Sequence, residues 1–429
     1  MLGRTNLTVG LLCLTNLLSY ADRTALSVLL PPIRTEFGLT DTELGVLTGI
    51  AFAAFYAIAG IPIASLADRY SRVSIVSISV AVWSLATAAT GAASNFVQLF
   101  VSRMGTAIGE AGALPPSHSL MSDLFPANRR SGVLALHSAF GPIGTLLGLS
   151  LGGWLASEVG WRWTFVILGA PGVLLALLVY LCVSEPTRGE QDSDESAIGR
   201  VPLRKAIKFL FSRPSFTFLA LAFAIGSLII SGLAQWLPTY FVRSFDLSLA
   251  EVGTRYGLAF GSGSFAGMVA GAAVANRLTA RDLRWSMWIA SVSYCVVLPL
   301  YLAALWLDEF SGVLVVIALA SVLGGLGYGP AWAAIQNIAP VNMRATATAI
   351  SLFGASLIGG GLGPLLVGVI SDVLYSGDGA ASLRYGLAIV VCVTPVAALL
   401  FWLSARYFPG DSRVVVATTP RSVPRRALE

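Results

Sequence analysis

Long apolar runs broken by short polar loops set the pattern of this chain. The runs cover roughly residues 5–30, 44–67, 74–93, 96–121, 131–156, 163–183, 215–241, 250–275, 285–306, 312–338, 345–373 and 383–406. About 20 apolar residues wound as a helix cross the hydrocarbon core of a bilayer, so each run predicts one transmembrane helix, about twelve in all. Gly and Pro recur inside the runs, which membrane helices tolerate when neighbours satisfy the freed backbone groups. The expected fold is all-α and integral to the membrane.

The longest polar segment, Glu185–Pro214, divides the runs into two sets of about six, and the sets echo each other. Ala64-Ser65-Leu66-Ala67-Asp68-Arg69-Tyr70-Ser71-Arg72 follows the second run. Asn276-Arg277-Leu278-Thr279-Ala280-Arg281 follows the eighth. Gly141-Pro142 in the fifth run is matched by Gly363-Pro364 in the eleventh. Duplicated halves are a transporter signature, with the substrate and ion sites at the midplane between them. The expected organisation is an N-terminal six-helix bundle (1–184), a cytoplasmic linker (185–213), a C-terminal six-helix bundle (214–408) and a basic cytoplasmic tail (409–429). Within the linker, Arg204-Lys205-Ala206-Ile207-Lys208-Phe209 reads as a short amphipathic helix on the anionic inner leaflet. Gly144, Gly148 and Gly152 recur at four-residue spacing, which favours close helix packing.

Composition narrows the class. Only 11% of the 429 residues are charged and 56% are hydrophobic, whereas soluble chains average about 25% charged. The net charge of +5 arises from arginines and lysines in alternate gaps between runs. That is a topology signal rather than a nucleic-acid face. Both termini are therefore expected in the cytoplasm, in a multi-pass protein of the cell (inner) membrane, and no nucleic-acid partner is expected. Cys13, Cys182, Cys295 and Cys392 lie in apolar runs without metal-ligand spacing. No metal, cofactor or disulfide framework is expected. Two histidines and no clustered Cys, His and Asp offer no nucleophile–base set, so the chain reads as a non-enzyme. A sensor that binds without moving its ligand is the other class, and counterflow in liposomes separates the two.

The charges inside the apolar runs carry the chemistry. Asp22 and Arg23 follow Tyr20 deep in the first run, and Pro31-Pro32 ends that run only later. An acid or arginine at membrane depth costs roughly 2.5–3.5 kcal/mol by insertion scales and usually marks an ion or substrate path. The plainer alternative places both at the outer headgroups. The fourth run adds Arg103 and Glu110, which are about two turns apart and so share a helix face. Asp22 and Arg103 are expected at similar depth, as an ion pair that protonation of Asp22 would open. Asp22 and Glu110 are the expected proton-coupling acids. Arg23, Arg103, Tyr20 and His118 are expected at the substrate. His118 and His137 each have the ordinary alternative of a satisfied structural donor. Asp68, Arg69 and Arg72 are the expected gating charges at a cytoplasmic helix end.

The C-terminal half differs. It offers Trp236, Tyr328, Trp332 and Gln336 in place of charges, and these complete the expected substrate contacts. Core packing is the alternative for each one. As a set they suggest a cavity charged on one side and aromatic on the other, suited to an anionic head and an apolar body.

These residues resemble the major facilitator superfamily across nearly the whole chain. Ala64-x-x-x-Asp68-Arg69-x-x-Arg72 is similar to its loop motif, with Ala64 where a Gly is usual, and Gly141-Pro142 is similar to its fifth-span motif. Tyr20-Ala21-Asp22-Arg23, together with Arg103-x-Gly105-x-x-x-Gly109-Glu110-Ala111-Gly112-x-x-Pro115-Pro116-Ser117-His118-Ser119-Leu120, resembles the Spinster-like branch. The resemblance implies a proton-linked carrier working by alternating access on lipid-like molecules such as lysolipids or sphingoid phosphates. It also implies functional roles for Asp22, Arg23, Arg103 and Glu110. The anion:cation symporter branch, which carries small organic anions and sugar acids, shares part of this pattern, and drug efflux is a third possibility. The expected partners are a small-molecule or lipid-like substrate, protons and membrane lipids, with the protein as a monomer.

Overall fold

The computed structural model describes residues 2–187, 202–340, 343–374 and 379–418. Its elements are α1 (Leu2–Phe37), α2 (Asp41–Gly45), α3 (Ala51–Arg69), α4 (Arg72–Thr90), α5 (Phe96–Ala111), α6 (Leu114–Leu124), α7 (Ala127–Cys182), α8 (Leu203–Phe211), α9 (Pro214–Phe245), α10 (Leu249–Thr279), α11 (Trp285–Trp306), α12 (Phe310–Ile338), α13 (Arg344–Gly354), α14 (Gly363–Leu374), α15 (Gly379–Val391) and α16 (Thr394–Thr418). Among the described residues there is no β-strand, as lipid requires of a chain that closes no barrel. Among the described residues, nine helical stretches are long and apolar enough to cross a membrane. One of them holds most of α7, which turns at Gly160, where φ is 81°. The helices α1 and α5–α6 stand outside that set and carry Asp22, Arg23, Arg103 and Glu110.

Local chemistry sets the helix ends. Thr40 and Glu43 form a capping box at α2, and Ser248 and Glu251 form one at α10. π-Helical turns, Val46–Ile50 and Ala355–Leu362, join α2 to α3 and α13 to α14. Two boundaries differ from expectation. The helix α1 runs through Pro31 and Pro32 to Phe37, which leaves Asp22 well inside the helix. At the other terminus α16 continues through Pro409 to Thr418, so the expected tail begins as helix. Asp411 there accepts from Ser215 N at 2.9 Å and from Ser215 Oγ at 2.5 Å, which caps the start of α9. Residues 188–201 of the expected linker and 419–429 of the tail lie outside the described residues. The helix α8 buries Ala206 and Leu210 and exposes Arg204, Lys205 and Lys208, the amphipathic pattern read from sequence.

Close packing positions α1. A Cβ on Gly144 would stand 2.3 Å from the Leu17 carbonyl oxygen, and one on Gly148 would stand 2.3 Å from that of Ala21. The glycine row of α7 thus seats the stretch of α1 that leads into Asp22. A second bare contact joins α7 to α10, where Gly153 meets the Leu249 carbonyl and Gly253 meets the Leu149 carbonyl.

The α1–α7 and α9–α16 halves also meet at the end assigned to the outside by the arginine pattern. Asp41, 1% exposed, accepts from Arg243 Nη1 at 2.9 Å and Nη2 at 2.7 Å, and from Ser371 Oγ at 2.8 Å. Arg34 Nε lies 3.3 Å from the same carboxylate. Asp372 in turn accepts from the N–H groups of Asp41 and Thr42, at 3.1 and 2.6 Å.

Candidate functional site

Four charged side chains from α1 and α5 meet inside the N-terminal half. Asp22 is 4% exposed, and Arg103 and Glu110 are each 2% exposed. Arg23 Nε lies 2.5 Å from Glu110 Oε2, and Ser19 Oγ donates to the same oxygen at 2.6 Å. Asp22 Oδ2 accepts from Thr87 Oγ1 of α4 at 3.0 Å. Arg103 is within electrostatic reach of Glu110, Asp22 and Arg23. Its Nε and Nη1 are buried without a hydrogen-bond partner, as is Glu110 Oε1. The expected Asp22–Arg103 ion pair is therefore replaced by Arg23–Glu110. The reason is angular: adjacent residues on a helix point about 100° apart, and Arg23 is the one turned toward α5.

Aromatic rings wrap the arginines. The Arg23 guanidinium lies 4.6 Å from the Phe52 ring centre, 5.2 Å from Tyr56 and 5.7 Å from Tyr20, and that of Arg103 lies 5.4 Å from Phe52. Such contacts are worth about 2 kcal/mol or more when desolvated. Sequence reasoning missed Thr87, Phe52 and Tyr56. The i, i+4 spacing of Phe52 and Tyr56 was the available signal for one helix face. Thr87 left none.

The other expected residues scatter. Tyr20 lines a cavity with Arg23 and Glu110, and Tyr328, 49% exposed, lies near Tyr20 across the halves. Trp332 packs against Tyr328 and Phe223, with ring centres 6.3 and 4.4 Å apart. Trp236 is wholly buried and donates from Nε1 to the Pro364 carbonyl at 2.8 Å. It is a packing residue that ties α9 to α14. His118 sits edge-on to His137. The side chains of Gln336 and Asp68 lie outside the described residues. Arg69 is exposed. Arg72 is buried and bonds to Asp123, to Ser119 Oγ at 2.9 Å, to Glu185 Oε1 at 2.7 Å and to the Pro186 carbonyl at 3.0 Å. Partial burial pushes the Glu185 carboxyl up. Bonds from Val73 N–H, Arg72 and Ser71 outweigh that and hold it below the ordinary carboxylate range.

The Major Facilitator Superfamily model matches residues 12–364. An MFS-type efflux pump of Mycolicibacterium smegmatis is 36% identical over 93% of this chain and 92% of its own length. Protein spinster homolog 1 of Xenopus laevis is 26% identical over 96% of this chain and 82% of its own. A solved bacterial homolog of the human lysosomal transporter Spinster, inward-facing and unoccupied, superposes with a TM-score of 0.87 at 28% identity. That likeness covers 95% of this chain and 98% of that one. With its apolar helices and its buried charges, this chain belongs to the Major Facilitator Superfamily as a Spinster-like, multi-pass membrane transporter rather than an enzyme.

Proposed function

We propose that this chain is a proton-coupled secondary transporter of an anionic amphiphile, a lysolipid or sphingoid phosphate in kind. It works as a monomer by alternating access between two six-helix halves, with both termini in the cytoplasm. The observation that carries this reading is the quartet of buried Asp22, Arg103 and Glu110 with half-buried Arg23, in which two nitrogens of Arg103 are unmatched. Two acids and two arginines balance while both acids are ionised. Protonating one leaves a buried positive excess, which an anionic headgroup offsets. A ligand shifts a two-state bundle only through unequal interaction with the two states, and this exchange of proton for anion supplies the inequality. The rings of Tyr20, Phe52 and Tyr56 on one side, with Tyr328 and Trp332 on the other, suit an apolar body. Arg72, tied to Asp123 and Glu185, suits a gating role at the inner end, and the exposed Arg69 stands beside it.

The test begins with thermal-shift screening of purified protein against two ligand sets, lysolipids with sphingoid phosphates and small organic anions. Selective stabilisation by the lipids, lost in Arg103→Ala, is expected. Flux in proteoliposomes follows: Asp22→Asn loses gradient-driven transport yet keeps substrate exchange. Gradient-driven uptake at the wild-type rate in that variant ends the coupling model. The 36% identity to an efflux pump favours a second reading, export of drug-like amphiphiles. Stabilisation by cationic drugs that survives Arg103→Ala selects it.

A further inference from the structure

Beside the quartet lies a cavity of about 50 Å³ whose wall includes Ser19, Tyr20, Arg23, Glu110, Ser117 and His137. A water needs roughly 10–15 Å³ of such volume, so there is room for a short water chain. Three polar atoms of this wall are buried without a protein partner: Glu110 Oε1, Ser117 Oγ and His137 Nδ1. An unsatisfied buried polar atom costs about 1–3 kcal/mol. Three such atoms on residues that line one small cavity are the mark of a hydrated network.

His137 is 1% exposed and fixed from two sides. Its main-chain oxygen accepts from Asn16 Nδ2 at 2.8 Å. Its ring stands by the Leu12 carbonyl, and its Nδ1 is buried without a hydrogen-bond partner. The His118 ring stands 5.1 Å away, centre to centre, at 79°, and its Nε2 is also buried and unpartnered. Ser117 and His118 follow Glu110 onto α6, which runs to Leu124. His137 lies roughly 15 Å along α7 from its start at Ala127. The three residues therefore step from the quartet toward the basic inner end.

The charged and titratable groups of the cavity wall are Tyr20 and Arg23 from α1, Tyr56 from α3, Glu110 from α5 and His137 itself from α7. His118 of α6 stands edge-on to the His137 ring. The helices α4 and α10, which also pack on α7, add none to this wall among the described residues.

We infer that His137, backed by His118, is a proton relay joining Glu110 to the inner aqueous side. The inference rests on the proton-coupled reading above. Protonated Glu110 releases its proton through water to His137 Nδ1, giving carboxylate and imidazolium. The imidazolium then gives up a proton by way of His118 and inner water, which restores the neutral imidazole. Only O–H and N–H bonds form and break.

The chain has two histidines, so ¹⁵N-histidine labelling of protein without a histidine tag yields two imidazole signal sets. In nanodiscs the set absent from His137→Gln is expected to show a bare Nδ1 at high pH and to gain a proton there as pH falls. Its midpoint is expected to move to lower pH in Glu110→Gln, where a nearby negative charge is lost. A His137 set that keeps its tautomer throughout, or whose midpoint ignores Glu110→Gln, overturns the relay whatever the cargo. The second arm uses lysophosphatidylglycerol in proteoliposomes. His137→Gln should lower gradient-driven transport about tenfold or more and leave exchange near wild type. Equal loss of both marks a structural histidine and ends the proposal. Coupling lost in Asp22→Asn but intact in His137→Gln removes the relay alone. Coupling intact in both removes the relay together with the reading beneath it.

Discussion

Asp22 and Arg23 are neighbours in sequence and point about 100° apart around α1. That angle decides which of them meets Glu110, and it explains what the sequence left hidden. The depth of both charges, and the shared face of Arg103 and Glu110, follow from spacing along a helix. The rotation of α1 about its own axis does not. It is set by Gly144 and Gly148 across the interface, so the pairing of Arg23 with Glu110 became visible only with both helices in place. One experiment isolates this pair. In a double-mutant cycle on Arg23→Gln and Glu110→Gln, Arg23→Gln leaves the buried Glu110 unmatched and should cost about 3–5 kcal/mol of unfolding stability, while Glu110→Gln, whose partner Arg23 is partly exposed, should cost less. The double variant should recover part of that loss, with a coupling energy of about 0.5–3 kcal/mol. Simple additivity would show that Arg23 and Glu110 do not act as a pair.

Helices were the most legible level. Each apolar run emerged as helix because backbone groups in lipid must satisfy one another within the segment. The amphipathic α8 was also readable, from basic residues alternating with Ile207 and Phe209. Misplaced boundaries fell at prolines. The expected end of the first run at Pro31-Pro32 and the start of the expected tail at Pro409 both lie inside helices. Packing context keeps α1 and α16 going where local chemistry argues for a stop. The four-residue glycine row was read correctly as a packing surface. Its partner, the α1 backbone at Leu17 and Ala21, was not nameable from spacing. Gly148→Val is predicted to force α1 off α7, because its Cβ would lie 2.3 Å from both the Ala21 oxygen and Thr24 Oγ1. The expected result is a lower unfolding temperature and loss of exchange. Gly132→Ala on the same helix meets nothing within 4 Å and should be neutral, or more stable by up to about 1 kcal/mol. Equal behaviour of the two variants in thermal unfolding would refute the packing argument.

At the scale of the whole molecule, the repeat of motifs between halves was plain from sequence. The bridge between the halves was not. Asp41, Arg243 and the neighbouring Ser371 and Asp372 belong to three separate stretches that only the fold assembles, and each reads alone as an ordinary loop or helix-end polar residue. Because Asp41 links Arg34 and Arg243, Asp41→Asn should weaken the outer closure by about 1–3 kcal/mol. Spin-label distances between the outer ends of α1 and α9 should then gain a longer population. An unchanged distribution would mean that the closure is held elsewhere. The contact of Gly153 with Gly253 completes the picture. Two rods that touch without side chains carry no teeth to disengage, so α7 and α10 can roll on each other as a bearing. The resistance to rocking then sits at the ends of the lever, in bonds such as those of Asp41, rather than at its fulcrum. Changes at the ends should reset how long each access state lasts, while changes at the fulcrum should jam the motion altogether.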